Sequence, residues 1–151
     1  MLATILLRLG TIMPLITRTY AKAALVYLVA ALAAGIFVAL RPLVDAPRFI
    51  GGLTPVYFHL FMVGWVTQLI IGVAYWMFPK YSNELPRGHG WLAWTTFALL
   101  NVGLLLRVVA ESAQVTDAAA AWAWGLPLSA ILQWAAGMAF VVNTWPRLKE
   151  R

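Results

Sequence analysis

The sequence predicts an all-α integral membrane protein: an antiparallel bundle of four transmembrane helices with both termini cytoplasmic. Three observations predict it. Of its 151 residues 63% are hydrophobic and only 11% charged, which is too apolar for a soluble domain that must present a polar surface. Apolar runs at about 20–40, 54–78, 91–110 and 118–145 reach the roughly 20 residues that a helix needs to cross a bilayer. The basic residues of the short connections are unequally divided. Arg8, Arg18, Lys22, Lys80, Arg87, Arg147, Lys149 and Arg151 fall on one side, eight against the three of Arg41, Arg48 and Arg107. The positive-inside preference then puts both termini in the cytoplasm. The chain reads as one membrane domain, multi-pass, in the cell inner (cytoplasmic) membrane.

Composition also excludes. The net charge of +6 is scattered over the ends of apolar runs and forms no stripe that could track phosphates, so lipid headgroups are the expected partners and nucleic acid is not. There is no cysteine, which rules out disulfides, thiolate metal sites, covalent heme attachment and cysteine-bound iron–sulfur clusters.

Taken in order, residues 1–14 are apolar but interrupted by Arg8, Gly10 and Pro14, a pattern of a frayed or interfacial segment rather than a cleaved signal; either Met1 or Met13 serves as the start. The first span is charge-free and rich in alanine, and Ala31 with Gly35 forms a small pair one turn apart that permits close helix contact. After a Pro- and Gly-containing connection, Thr54 is expected to cap the second span, Pro55 to occupy its first turn and Pro79 to stop it. The third span carries Asn101 near its middle and Arg107 near its end. The fourth is expected to bend or start at Pro127 and stop at Pro146. Asn101, Gln68 and Gln133 are expected to hydrogen-bond between helices. Tyr57, Trp122 and Trp124 mark one membrane boundary, and Tyr20, Trp76, Tyr81, Trp91, Trp94 and Trp145 the other.

The second span, Thr54 to Lys80, holds the candidate site. His59 is the one histidine inside a long apolar run, and an ionisable side chain within a span is a functional candidate because it must be paired or ligated. Its alternative is a neutral imidazole bonded to a neighbouring helix or to headgroup water. At roughly 100° per residue, Val63, Val66, Ile70, Val73 and Met77 share its side, whereas Gly64, Gln68 and Gly72 form a small-residue groove opposite. The first side reads as an apolar wall with an imidazole at its outer end, suited to a flat macrocycle or to lipid. Arg107 is expected at the depth of His59, where a heme propionate would need a cation; its alternatives are an ion pair with Glu111, one turn on, or snorkelling to headgroups. His89, about 30 Å from His59 in depth, reads as a solvated loop residue.

These residues carry a resemblance. The stretch HLFMVGWVTQLIIGVAYWMFP, with His59, Gly64, Trp65, Gly72, Tyr75 and Pro79, resembles the histidine-bearing span of heme-copper oxidase subunit I, particularly in cytochrome cbb-type oxidases and their nitric oxide reductase relatives. There a His-x-His pair opens the helix, and its second histidine binds the low-spin heme; His59 matches that position, while Tyr57 stands at the first. The match covers about 27 residues. From about Pro14 to the end, the chain is similar to small four-span bacterial membrane proteins that are named as subunit I-like. The resemblance implies heme b on His59, and with it electron relay or gas or redox sensing in a respiratory chain. An oxygen- or NO-reducing centre needs several further histidines, and this chain has two in all, so that enzyme activity is not expected. The remaining axial position would need a second copy in a homodimer or a larger respiratory subunit.

The competing reading is a cofactor-free accessory or structural subunit of a respiratory membrane complex. A transporter is less favoured, since the four runs hold no buried acidic residue and no inverted repeat. No carboxylate pair, nucleophile with base or phosphate loop points to small-molecule catalysis.

Overall fold

A computed structural model describes residues 13–43, 48–116 and 120–148. Residues 1–12, with most of the expected interfacial segment and Arg8 of the charge count, lie outside the described residues, as do Lys149 and Arg151. Among the described residues the chain is helical and without strands, with four helices long and apolar enough to cross a membrane: Leu15–Leu43, Ile50–Met77, Gly90–Ala113 and Gly125–Arg147.

α1 runs from Leu15 to Leu40, starting directly after Pro14 and so earlier than the charge-free run predicts. It takes in Arg18 and Lys22, both exposed, because long basic side chains at a helix end can reach the headgroups while their stems stay on apolar surface. The second span enters through a 3₁₀ turn, Arg48–Gly52, and continues as α2, Leu53–His59. Thr54 is therefore not the cap: Gly52 stands at that position and no side chain caps it, since the preceding turn feeds directly into the helix. Pro55 does lie in the first turn.

Beyond His59 the span widens into a π-helical segment, Leu60–Thr67, before returning to α geometry as α3, Gln68–Met77. The Thr67 hydroxyl donates to the Met62 carbonyl five residues back, at 2.8 Å. At about 4.4 residues per turn, against 3.6 in an α-helix, a step of four residues falls about 33° short of a full turn where an α-helical step overshoots it by about 40°, so the two drifts offset each other along the span. Val56, Leu60, Gly64 and Gln68, all buried, are thereby kept in one line. α3 ends where Phe78 turns extended, as a residue before proline must.

α4 spans Gly90–Ala113 and carries both Arg107 and Glu111, running three residues past the expected 110. α5 spans Gly125–Thr144 and continues as a 3₁₀ turn, Trp145–Arg147. It starts seven residues later than the hydropathy run, with Pro127 in its first turn, where a missing N–H costs nothing.

α1 packs along the second span, and α4 packs most extensively on α5. The small residues make the first contact: a Cβ on Gly64 would lie 2.8 Å from Tyr27 Cβ, and one on Gly72 2.6 Å from Tyr20 Cβ. Gly35 is likewise pressed on Tyr57. One apolar cluster joins Tyr20, Ile71, Tyr75, Ala93, Leu100 and Ala136, with Tyr20 edge-on to Phe97 at 5.0 Å. A second joins Ala31, Val56, Leu60 and Leu104. Between them runs a polar chain, in which Tyr27 Oη donates to Asn101 Oδ1 (2.8 Å) and Asn101 Nδ2 donates to Gln68 Oε1 (3.1 Å). Asn101 and Gln68 thus link three helices as expected. Gln133 does not join them: among the described residues its Nε2 is buried without an acceptor, and its Cγ packs over Gly103.

Candidate functional site

The site lies where α2 meets the last turns of α4. A Cβ on Gly52 would stand 2.7 Å from the Glu111 carbonyl oxygen, so this glycine lets the two backbones approach closely. The approach brings His59 onto Glu111. Glu111 Oε1 accepts from Arg107 Nε at 2.8 Å and faces His59 Nδ1 at 3.1 Å. His59 Nδ1 also lies 2.9 Å from the Pro55 carbonyl oxygen. Arg107 Nη1 reaches toward Ser129 Oγ (3.4 Å) and the Leu126 carbonyl (3.5 Å) on α5.

His59 and Arg107, assigned to one depth from sequence, do converge, and Glu111 is the residue on which they meet. The i, i+4 spacing shows the Arg107–Glu111 pair; it does not show the histidine, which comes from another span. The expectation that the spans hold no buried acid is corrected here. α4 continues through Glu111, whose side chain is 7% exposed, and burial is tolerated because a guanidinium faces the carboxylate.

The predicted apolar wall is also corrected. The π segment resets the helical phase, so the residues spaced from His59 at α pitch beyond Val63 do not share its face. His59 turns to α4, Val63 packs against the core clusters, and Ile70 and Met77 are 60% and 71% exposed. The apolar groove along Leu69, Ile70, Val73 and Met77 does not reach the imidazole.

The donor set can be tested against a metal-bound macrocycle. Both neighbours of His59 Nδ1 are acceptors, so that nitrogen carries the proton and donates, which leaves Nε2 as the ligating atom. Nε2 has no hydrogen bond among the described residues, and the side chain is 27% exposed. A histidine whose second nitrogen is held by a carbonyl and a carboxylate has the orientation typical of metal ligands. One axial ligand therefore fits. Arg107 has Nη2 without a partner among the described residues, the arm that a propionate could use. No group of three or more His, Asp or Glu side chains able to hold a bare metal ion occurs among the described residues.

His89 is exposed, and its backbone N–H donates to Asn143 Oδ1 at 2.9 Å. Arg147, counted in sequence as a surface charge, is buried at 3% exposure. Its Nε donates to the Pro79 carbonyl (2.9 Å) and its Nη2 to those of Phe78 (2.7 Å) and Tyr75 (3.3 Å). These are carbonyls that the end of α3 leaves without helical partners. Sequence offered one signal for it, the basic residue after Pro146, which reads equally as a headgroup contact.

Comparison with protein-family models, curated proteins and solved structures returns no match.

Proposed function

We propose that this chain is a multi-pass protein of the cytoplasmic membrane, an antiparallel four-helix bundle with both termini inside. In this reading His59 supplies one axial ligand to a heme b near the outer surface, and Arg107 stands by for a propionate. The function is electron relay or gas or redox sensing, without oxygen or NO reduction. The observation that supports it most is the His59 imidazole, fixed through Nδ1 by Pro55 and Glu111 with Nε2 left open. Heme, when bound, would supply one-electron chemistry at its iron; the chain orients the imidazole and keeps its Nδ1 proton in place. The resemblance of the second span to oxidase subunit I supports the same assignment.

Protein expressed with ample heme is expected to show a Soret band that His59→Ala removes. Because the described residues offer no second iron ligand near His59, a low-spin six-coordinate spectrum is expected only in an assembled state, a homodimer or a complex with a larger subunit. Absence of a Soret band, or its survival in His59→Ala, would instead favour the cofactor-free accessory subunit, a reading that the His59–Glu111–Arg107 cluster also serves by tying two spans together.

The absence of native cysteine makes topology directly measurable. A single cysteine replacing Leu85, between the second and third spans, is expected to react with a membrane-impermeant reagent only after the cytoplasmic side is opened. Labelling in intact cells would reverse the orientation.

A further inference from the structure

At the end of the bundle that holds His59, an apolar groove of about 430 Å³ lies open between α1 and the second span. Leu53, Val56 and Leu60 form its floor, with Ala30, Ala34 and Phe37 of α1 on one side and Val108 of α4 on the other. Every side chain that lines it is apolar. The groove exists because alanine supplies most of the α1 wall, where a longer side chain would fill the space.

Length and charge give the groove a direction. Ala30 stands near the middle of the first span, Leu15–Leu43, and Phe37 and Arg41 follow it on the same side of the helix. At 1.5 Å per residue the stretch from Ala30 to Arg41 covers about 16 Å, which is one leaflet of a hydrocarbon core about 30 Å thick. The groove therefore runs from mid-membrane toward a membrane end, and a guanidinium stands at that end. Arg41 lies over the entry turn of the second span: a Cβ on Gly51 would be 3.5 Å from its Nη2, next to Ile50, which lines the groove. Arg41 is exposed, and among the described residues it has no ion pair or side-chain hydrogen bond, the ion pairs there being those of Glu111. Over the roughly 10 Å from Ala30 to Phe37, the volume corresponds to a cross-section of about 40 Å², about half that of a helix 10 Å wide. A whole helix does not fit, whereas an extended hydrocarbon chain does.

We infer that this groove binds one anionic phospholipid, with an acyl chain against Leu53, Val56 and Leu60 and the phosphate on Arg41. A guanidinium is suited to a phosphate through two parallel hydrogen bonds. A zwitterionic lipid brings a cation of its own to the same place, so a headgroup of net negative charge is preferred. The bound lipid bridges the end of α1 and the start of the second span. The site uses no residue of the His59 cluster and is independent of any heme there.

The test is native mass spectrometry of the full chain released from detergent micelles that contain equal amounts of phosphatidylglycerol and phosphatidylcholine with identical acyl chains. One phosphatidylglycerol per chain is expected to be retained saturably, about fivefold over phosphatidylcholine, the scale of one arginine at an anionic surface. Arg41→Gln is expected to bring that ratio to about one, whereas Arg18→Gln, which removes an exposed arginine at the other end of α1, leaves it unchanged. Ala33→Phe fills the groove from an exposed position and is expected to abolish retention of both lipids. Equal retention of the two lipids by the wild-type chain, or an undiminished preference in Arg41→Gln, would overturn the headgroup site. Undiminished retention in Ala33→Phe would overturn the groove as the place of the acyl chain. Displacement of the lipid by glycerol phosphate would make Arg41 a site for free phosphate, and a lipid-free dimer that Ala33→Phe dissociates would make a second copy the occupant.

Discussion

Gly72→Leu is expected to disrupt the bundle more than any other single substitution on the small-residue face. The new Cβ would stand 2.6 Å from Tyr20 Cβ, with Thr17 carbonyl oxygen at 3.5 Å. A Cβ cannot swing aside as a side-chain tip can, so α1 and α3 must separate, and the Tyr20 contacts with Phe97 and Tyr75 separate with them. Overpacking of a filled core typically costs about 1–3 kcal/mol, and a branched side chain at a backbone crossing is placed at the upper end of that range. Gly137 is the control: nothing lies within 4 Å of a Cβ there, so Gly137→Ala is expected to gain up to about 1 kcal/mol through helix propensity. Unfolding of the two variants in mild detergent under increasing denaturant separates these outcomes. Equal stability of the two would mean that α1 and α3 do not meet at Gly72.

Arg147→Met is expected to have the second-largest effect. The substitution keeps much of the buried volume but removes the donors to the Tyr75, Phe78 and Pro79 carbonyls. Truncating one side of a buried charged arrangement costs about 3–5 kcal/mol when its partner is a full charge. The partners here are carbonyls, and about 3 kcal/mol for the three bonds is the fitting scale. Arg147→Lys should fall between, because a single ammonium cannot reproduce a fork in which Nε and Nη2 serve different carbonyls. Hydrogen exchange should quicken at the end of α3 in both variants, more in the methionine one. Unaltered exchange would show that the α3 terminus is held by other means.

Much of this was open to a reader of the sequence, for specific reasons. The four spans are legible because apolar length is a property of consecutive residues. The Arg107–Glu111 pair is legible because i, i+4 neighbours on one helix must meet, and the Gly64–Gln68–Gly72 groove because small residues at that spacing invite a neighbouring helix. Cap positions were less legible: 3₁₀ turns at the start of the second span and the end of the fourth carry no distinct composition, and Thr54 resembles a cap that the backbone does not use.

Tertiary structure alone decided the rest. The π segment has no sequence signature, since it arises where Val56, Leu60, Gly64 and Gln68 must stay in line against their neighbours, and that requirement exists only between helices. Once present, it rotates everything after His59, so a face drawn at α pitch from that residue leads to the wrong side chains. The partner of His59 was hidden for the same kind of reason: Glu111 is 52 residues away in the chain and reaches it only because Gly52 lets two backbones touch. Arg147 shows the limit most plainly. Its position after the last apolar run determines that it lies at a membrane end. Whether its guanidinium meets headgroups or closes the terminus of another helix depends on where α3 stops in space, which no local pattern of residues around it contains.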